Sequence, residues 1–138
     1  MSVYLGIDYG RTRTGVALSD RTGTIASAVG THHEGHDGSI FDFLTNIINQ
    51  RSVETIVIGL PLTADGRETE SAEMVRKFAG LLIKRFNLPV EFCDERYSSK
   101  EADQWLRMSG KKGRPKAETD AVAAEIILQQ YLDSLGNK

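Results

Sequence analysis

Three acidic residues stand at the ends of predicted elements, far apart in the chain: Asp8 in YLGIDYG, Glu95 in FCDER and Asp120 in ETDAVAA. Each borders an apolar run, and a carboxylate beside a core is costly to desolvate unless something compensates it. Three such groups brought together repel one another, and a divalent cation relieves that repulsion. Hard Mg²⁺ or Mn²⁺ prefers carboxylate oxygen. Such a set fits metal-dependent phosphodiester hydrolysis, with two ions roughly 4 Å apart. Each acid also has a plainer reading: a turn aspartate, a strand-end acid paired with Arg96, a helix N-terminal acid. Their joint placement at element ends favours a shared site. Asp94 and Glu95 are neighbours on a strand and point to opposite faces, so period alone leaves open which joins Asp8.

Positive charge gathers near the same acids. Arg107, Lys111, Lys112, Arg114 and Lys116 fall in a stretch, 104–117, that contains no acid and runs up to Asp120. Arg11 and Arg13 follow Asp8, and Arg67 sits in LTADGRE. Lysine and arginine so placed can hold phosphates on either side of a scissile bond. His32, His33 and His36, with Glu34 and Asp37, match no paired-ligand zinc spacing and read as a polar loop. Cys93 reads as a small core residue of its strand, and Trp105 as packing for its helix. No Ser–His–Asp spacing or Walker-type glycine loop is present.

The elements that must position these residues follow from periodicity. Residues 3–8, 14–19 and 24–29 read as three strands joined by tight turns, an antiparallel meander. Alternation puts Tyr4, Gly6 and Asp8 on one face, and Gly6 and Gly10 remove bulk beside Asp8 to admit a metal or phosphate. Residues 31–38 read as loop. A helix over 39–50, capped by Ser39, precedes a short apolar strand over 55–59. An amphipathic helix over 71–86, with a stripe of Met74, Phe78, Leu81, Leu82 and Phe86, precedes a strand over 90–94. A further helix runs from Ser98 or Ser99 to about Met108, and 109–117 is a basic loop. Thr119 caps the last helix, which places Asp120 at its favourable N-terminus and ends at Gly136. The expected fold is α/β: a mixed five-stranded sheet, three meander strands plus two parallel strands, flanked by helices.

The chain of 138 residues fits one domain spanning 1–138. Its net charge of −2 gives no global basic signature, so any nucleic-acid contact must be local. No apolar stretch approaches a membrane span, and the N-terminus opens directly on a strand pattern. A lone cysteine forms no internal disulfide. These features together point to the cytoplasm.

The segments LGIDYGRTRTGVALSD, IVIGLPLTADGRE, FCDERYSS and TDAVAAEIILQQYL, in that order over nearly the whole chain, resemble the YqgF (RuvX) family of Holliday-junction-resolvase-like proteins. The resemblance implies a ribonuclease-H-like fold, compatible with the element order above. It implies a cytoplasmic, Mg²⁺- or Mn²⁺-dependent nuclease that processes the 5′ end of the pre-16S ribosomal RNA, with the pre-ribosomal particle as partner. It implies, as the other role, resolution of four-way DNA junctions. RNA is therefore the favoured nucleic acid and branched DNA the alternative, with the protein a monomer or homodimer. By position, the family's acidic triad falls on Asp8, Glu95 and Asp120, a basic residue on Arg13 before Gly15, and the arginine of its DER block on Arg96. Gly59, Pro61 and Gly66 match GLPLxxDG. Where the family often has a plain lysine/arginine run, KKGRPKAETD intersperses Gly113, Pro115 and Glu118. Two other readings are open. DYGRTRTG resembles the first phosphate loop of actin-like ATPases, although those need two such domains. A non-catalytic RNA-binding assembly factor would keep the acids without using them.

Overall fold

Strand alternation decides how this chain layers. Val3, Leu5 and Ile7 face one way along the first strand, and Tyr4, Gly6 and Asp8 the other. A computed structural model describes residues 2–63, 65–94 and 116–136, with backbone alone for 116–119 and 136. In chain order the elements are β1 (Val3–Asp8), β2 (Arg13–Ser19), β3 (Ala26–His33), α1 (Ile40–Arg51), β4 (Val53–Leu60), α2 (Glu70–Phe86), β5 (Val90–Asp94) and α3 (Lys116–Gly136). The strands form one sheet in the order β3-β2-β1-β4-β5. β1–β2 and β2–β3 are antiparallel, whereas β1–β4 and β4–β5 are parallel. This is the mixed sheet expected, with its crossovers made by helices.

The two faces differ in side-chain size. On one, Leu5, Ile7, Val16, Leu18, Ile56 and Ile58 meet Leu44, Ile48, Val75, Phe78 and Leu82 of α1 and α2 in a thick aliphatic core. On the other, Ala17 and Val57 meet Ala124, Ile127, Leu128 and Leu132 of α3. There the sheet is lined by small residues, so α3 comes very close. A Cβ built on Gly6 would stand 2.7 Å from the Cβ of Leu128. The space beside Gly6 is therefore filled by the helix, which corrects the expectation that it is left open for a ligand. Gly10 is likewise closed in by its own turn, where a Cβ would meet the Arg13 carbonyl oxygen at 2.4 Å. α3 also reaches over the edge strand: Glu125 Oε1 accepts from Ala28 N and Gln129 Oε1 from Ala26 N, both at 2.8 Å.

Caps set the other helix ends. Ser39 accepts from Phe41 N at the start of α1, and Thr69 from Ala72 N at the start of α2. Ser52 and Asn87 end them in left-handed conformation. The α2 stripe is rotated from the expected one, with Ala72, Val75, Phe78, Ala79 and Leu82 buried and Leu81 exposed. Small alanines allow the helix to settle on that line. β3 begins two residues later than expected and runs through Thr31, His32 and His33, which pair with β2 and were expected in a loop. His32 is buried, its Nε2 2.9 Å from the Gly38 carbonyl oxygen and its ring tilted against Phe43. It is a packed core histidine. β4 extends past the expected 55–59 at both ends. α3 starts at Lys116, so Thr119 is not its cap and Asp120 lies in the second turn. The expected helix over 98–108, Trp105 and most of the basic loop lie outside the described residues. Among the described residues no helix is long and apolar enough to cross a membrane.

A matched pair of substitutions tests the close helix approach. Gly6→Ala is expected to lower the urea-unfolding free energy by about 1–3 kcal/mol through overpacking. Gly30→Ala, on open β3 with nothing within 4 Å of the new Cβ, is expected to change it by less than about 0.5 kcal/mol. Equal effects would mean α3 does not press on β1.

Candidate active site

Asp8 is the last residue of β1, and its Cα partner across the antiparallel pair is Gly15 of β2. Directly opposed residues share a face. A Cβ on Gly15 would stand 1.9 Å from the Asp120 carbonyl oxygen and 2.9 Å from Ala121 N. Gly15 thus lets the α3 backbone lie on the sheet beside Asp8, and two acids separated by more than a hundred residues converge there. The requirement at Gly15 is the signal that spacing did not reveal: a glycine in an otherwise apolar strand marks close backbone approach.

Arg13 completes this corner. It shares the α3 face with Gly15, and its Nε lies 2.9 Å from Asp120 Oδ2. Both atoms are shielded from water, yet they make no aligned N–H···O hydrogen bond with each other. The two side chains are 35% and 25% exposed, so the contact is one of charges at a partly wet site. A carboxylate oxygen withdrawn from water beside a positive charge is a ligand atom that suits a hard cation.

The remaining candidates spread around the same end of the sheet. Arg11 Nε lies 3.2 Å from Met74 Sδ, which carries it toward α2 and away from Asp120. Arg67 is in the loop after β4, the parallel neighbour of β1, and pairs with Asp65 at 2.9 Å. The Thr63 hydroxyl, then the Arg67 guanidinium, hold the Asp65 carboxyl below the usual range. Arg67 therefore keeps a charged partner in its own loop. Tyr9, next to Asp8, faces the opposite side and stacks on Phe78, ring centroids 4.0 Å apart. Burial, then the nearby Glu34, raises its hydroxyl pKa. Lys116 opens α3. Glu95, Arg96, Lys111, Lys112 and Arg114 lie outside the described residues. Among the described residues no three acidic, histidine or cysteine side chains cluster to hold a metal, the His32–Asp37 segment included.

A family model described as RuvX, Holliday junction resolvase, matches residues 2–134. The chain belongs to the RuvX family. Its relatives in that family include proteins named "Putative pre-16S rRNA nuclease". The one from Trichormus variabilis is 42% identical over 130 residues, which cover 94% of this chain and 86% of the relative. The one from Bacteroides fragilis is 41% identical over 140 residues, covering 97% and 98%. Among solved structures, T. thermophilus RuvC in complex with a Holliday junction substrate superposes with TM-score 0.57 at 17% identity, covering 99% of this chain and 97% of that one. The fowlpox virus Holliday junction resolvase gives 0.57 at 10% identity, covering 96% and 99%. These likenesses show the ribonuclease-H-like fold of the RuvX chain. Nucleases and resolvases are phosphodiester hydrolases, which is the broad activity of the family.

Gly15→Ala is expected to be costlier than Gly6→Ala, at or above roughly 1–3 kcal/mol, because the new methyl meets backbone that cannot rotate away. Amide hydrogen exchange over 120–124 should speed up in this variant. Unchanged exchange would show that the acids do not depend on Gly15 to converge.

Proposed function

We propose that this chain is a divalent-metal-dependent nuclease that processes the 5′ end of the 16S ribosomal RNA precursor. The observation that carries the proposal is the convergence of Asp8 and Asp120 through Gly15, with the shielded Asp120 oxygen met by the charge of Arg13. Asp8 and Asp120 would hold the metal, with Glu95 as the third acid. Support for Glu95 over Asp94 comes from β5. Cys93 packs against the α3 cluster, while Phe92 lies under Arg76 of α2. By strand alternation Asp94 falls on the side of Phe92, away from Cys93 and α3. The bound Mg²⁺ or Mn²⁺ would supply an activated water and a charge that stabilises the leaving oxygen.

The residues of the chain perform the rest. Asp8 and Asp120 fix where positive charge can sit, at the end of the central strand. Arg13 stands beside that point, where a guanidinium can pair with phosphate oxygens. Arg11, Arg67, Arg96 and the basic residues Lys111, Lys112, Arg114 and Lys116 would track the RNA backbone on either side. RNA is favoured over branched DNA by the names of the relatives, which refer to pre-16S rRNA.

Asp8→Asn in Mn²⁺ is expected to slow cleavage of a precursor rRNA 5′ end by about 10²-fold or more, the scale lost with a single charge-stabilising group. RNA affinity should persist. The same assay on a four-way DNA junction separates the readings. Paired, symmetric cuts there and none in RNA would replace rRNA processing with junction resolution. RNA binding without turnover, insensitive to Mn²⁺, would indicate an assembly factor.

A further inference from the structure

We propose that Arg13 is a cation latch on the metal site. In the metal-free protein its guanidinium holds Asp120. When a divalent ion takes that carboxylate, Arg13 is released toward the substrate phosphate. This rests on the reading of Asp8, Asp120 and Glu95 as the residues that hold metal.

The position of Arg13 carries the inference. It opens β2 on the face that α3 covers, two residues before Gly15, and its Nε approaches Asp120 Oδ2 to 2.9 Å. The approach lacks an aligned hydrogen bond, so no fixed directional geometry has to be broken to undo it. The Arg13 side chain is 35% exposed, so a path to solvent is already open. Arg11 and Arg67 are engaged elsewhere, with Met74 and Asp65.

Charge decides which state holds. The guanidinium brings one positive charge to the Asp120 carboxylate. A divalent ion brings twice that charge and bonds carboxylate oxygen directly. A guanidinium left within a few ångströms of the ion would be repelled by it. The planar fork of arginine suits phosphate in two-point contact, so a substrate phosphate gives the displaced side chain a place to go. Metal and substrate would then favour each other's binding, because the ion frees Arg13 for phosphate and phosphate draws Arg13 off the carboxylate the ion needs. Arg13 is on this account a positioning residue, set by the metal before it meets phosphate.

The test is Mn²⁺ titration by calorimetry of wild type, Arg13→Gln and Arg13→Lys, without nucleic acid. Arg13→Gln is expected to bind Mn²⁺ on the order of tenfold more tightly, since a competing cation is gone. Arg13→Lys keeps the charge and is expected to stay near wild type. In wild type, nitrogen-15 spectra should show the Arg13 Nε–H resonance, assigned by its loss in Arg13→Gln or Arg13→Lys, shifting and exchanging faster as Mg²⁺ is added. Equal or weaker Mn²⁺ binding by Arg13→Gln overturns the latch and leaves the metal site standing. A wild type that binds no Mn²⁺ overturns the metal reading and the latch with it. If Arg13→Gln does not fold, an Nε–H resonance unmoved at saturating Mg²⁺ overturns the latch.

Discussion

The close approach of α3 to the sheet is the constraint on which the site depends. Side chains normally fill the gap between a helix and a sheet and hold the two backbones apart. Here the lining is Gly6, Gly15 and Ala17 on the strands and Ala121 and Ala124 on the helix. Backbone meets backbone at Gly15, where the Asp120 carbonyl occupies the room a side chain would need. Glycine gives up apolar burial at these positions and costs conformational entropy. The loss is offset further along α3, where Ile127, Leu128 and Leu132 bury against Ala17 and Val57. The C-terminal half of α3 anchors the helix, and its N-terminal half brings Asp120 to Asp8. On the other face large aliphatic residues do ordinary packing under α1 and α2, which leaves this face for the acids.

Most of the fold was legible in the sequence because its signals are local. Val3–Asp8 and Val90–Asp94 are read from alternation and flanking turn residues, and Ser39 announces α1 as a cap. The misplacements arise where tertiary partners decide. β3 looked finished at Val29 because Thr31, His32 and His33 are polar; pairing with β2 extends it, and the Gly38 carbonyl accommodates His32 inside. Thr119-Asp120 resembles a helix start, yet α3 begins at Lys116, the residue after Pro115. Leu81 looked like core by size, while the real contact line uses Ala72 and Ala79.

The acids were legible as types and not as a site. Asp8 ends β1 as its sequence indicates, and Asp120 lies one turn inside α3, but their neighbourhood depends on Gly15 filling no space. Gly6 and Gly10 were read as room for a ligand, and the structure gives that room to Leu128 and to the Arg13 carbonyl. The Arg13–Asp120 contact joins residues from β2 and α3, and no spacing rule predicts it. On β5, Cys93 packs toward α3 and Phe92 toward α2, a facing that periodicity alone does not assign.

The central claim is that the corner made by Asp8, Gly15 and Asp120 is built to hold a divalent cation. Anomalous diffraction from crystals soaked in Mn²⁺ tests it most directly. The account predicts a manganese peak about 2.0–2.4 Å from carboxylate oxygens of both Asp8 and Asp120, the distance range of hard cations on oxygen. Manganese bound only elsewhere on the protein, with Arg13 still seated on Asp120, would contradict it.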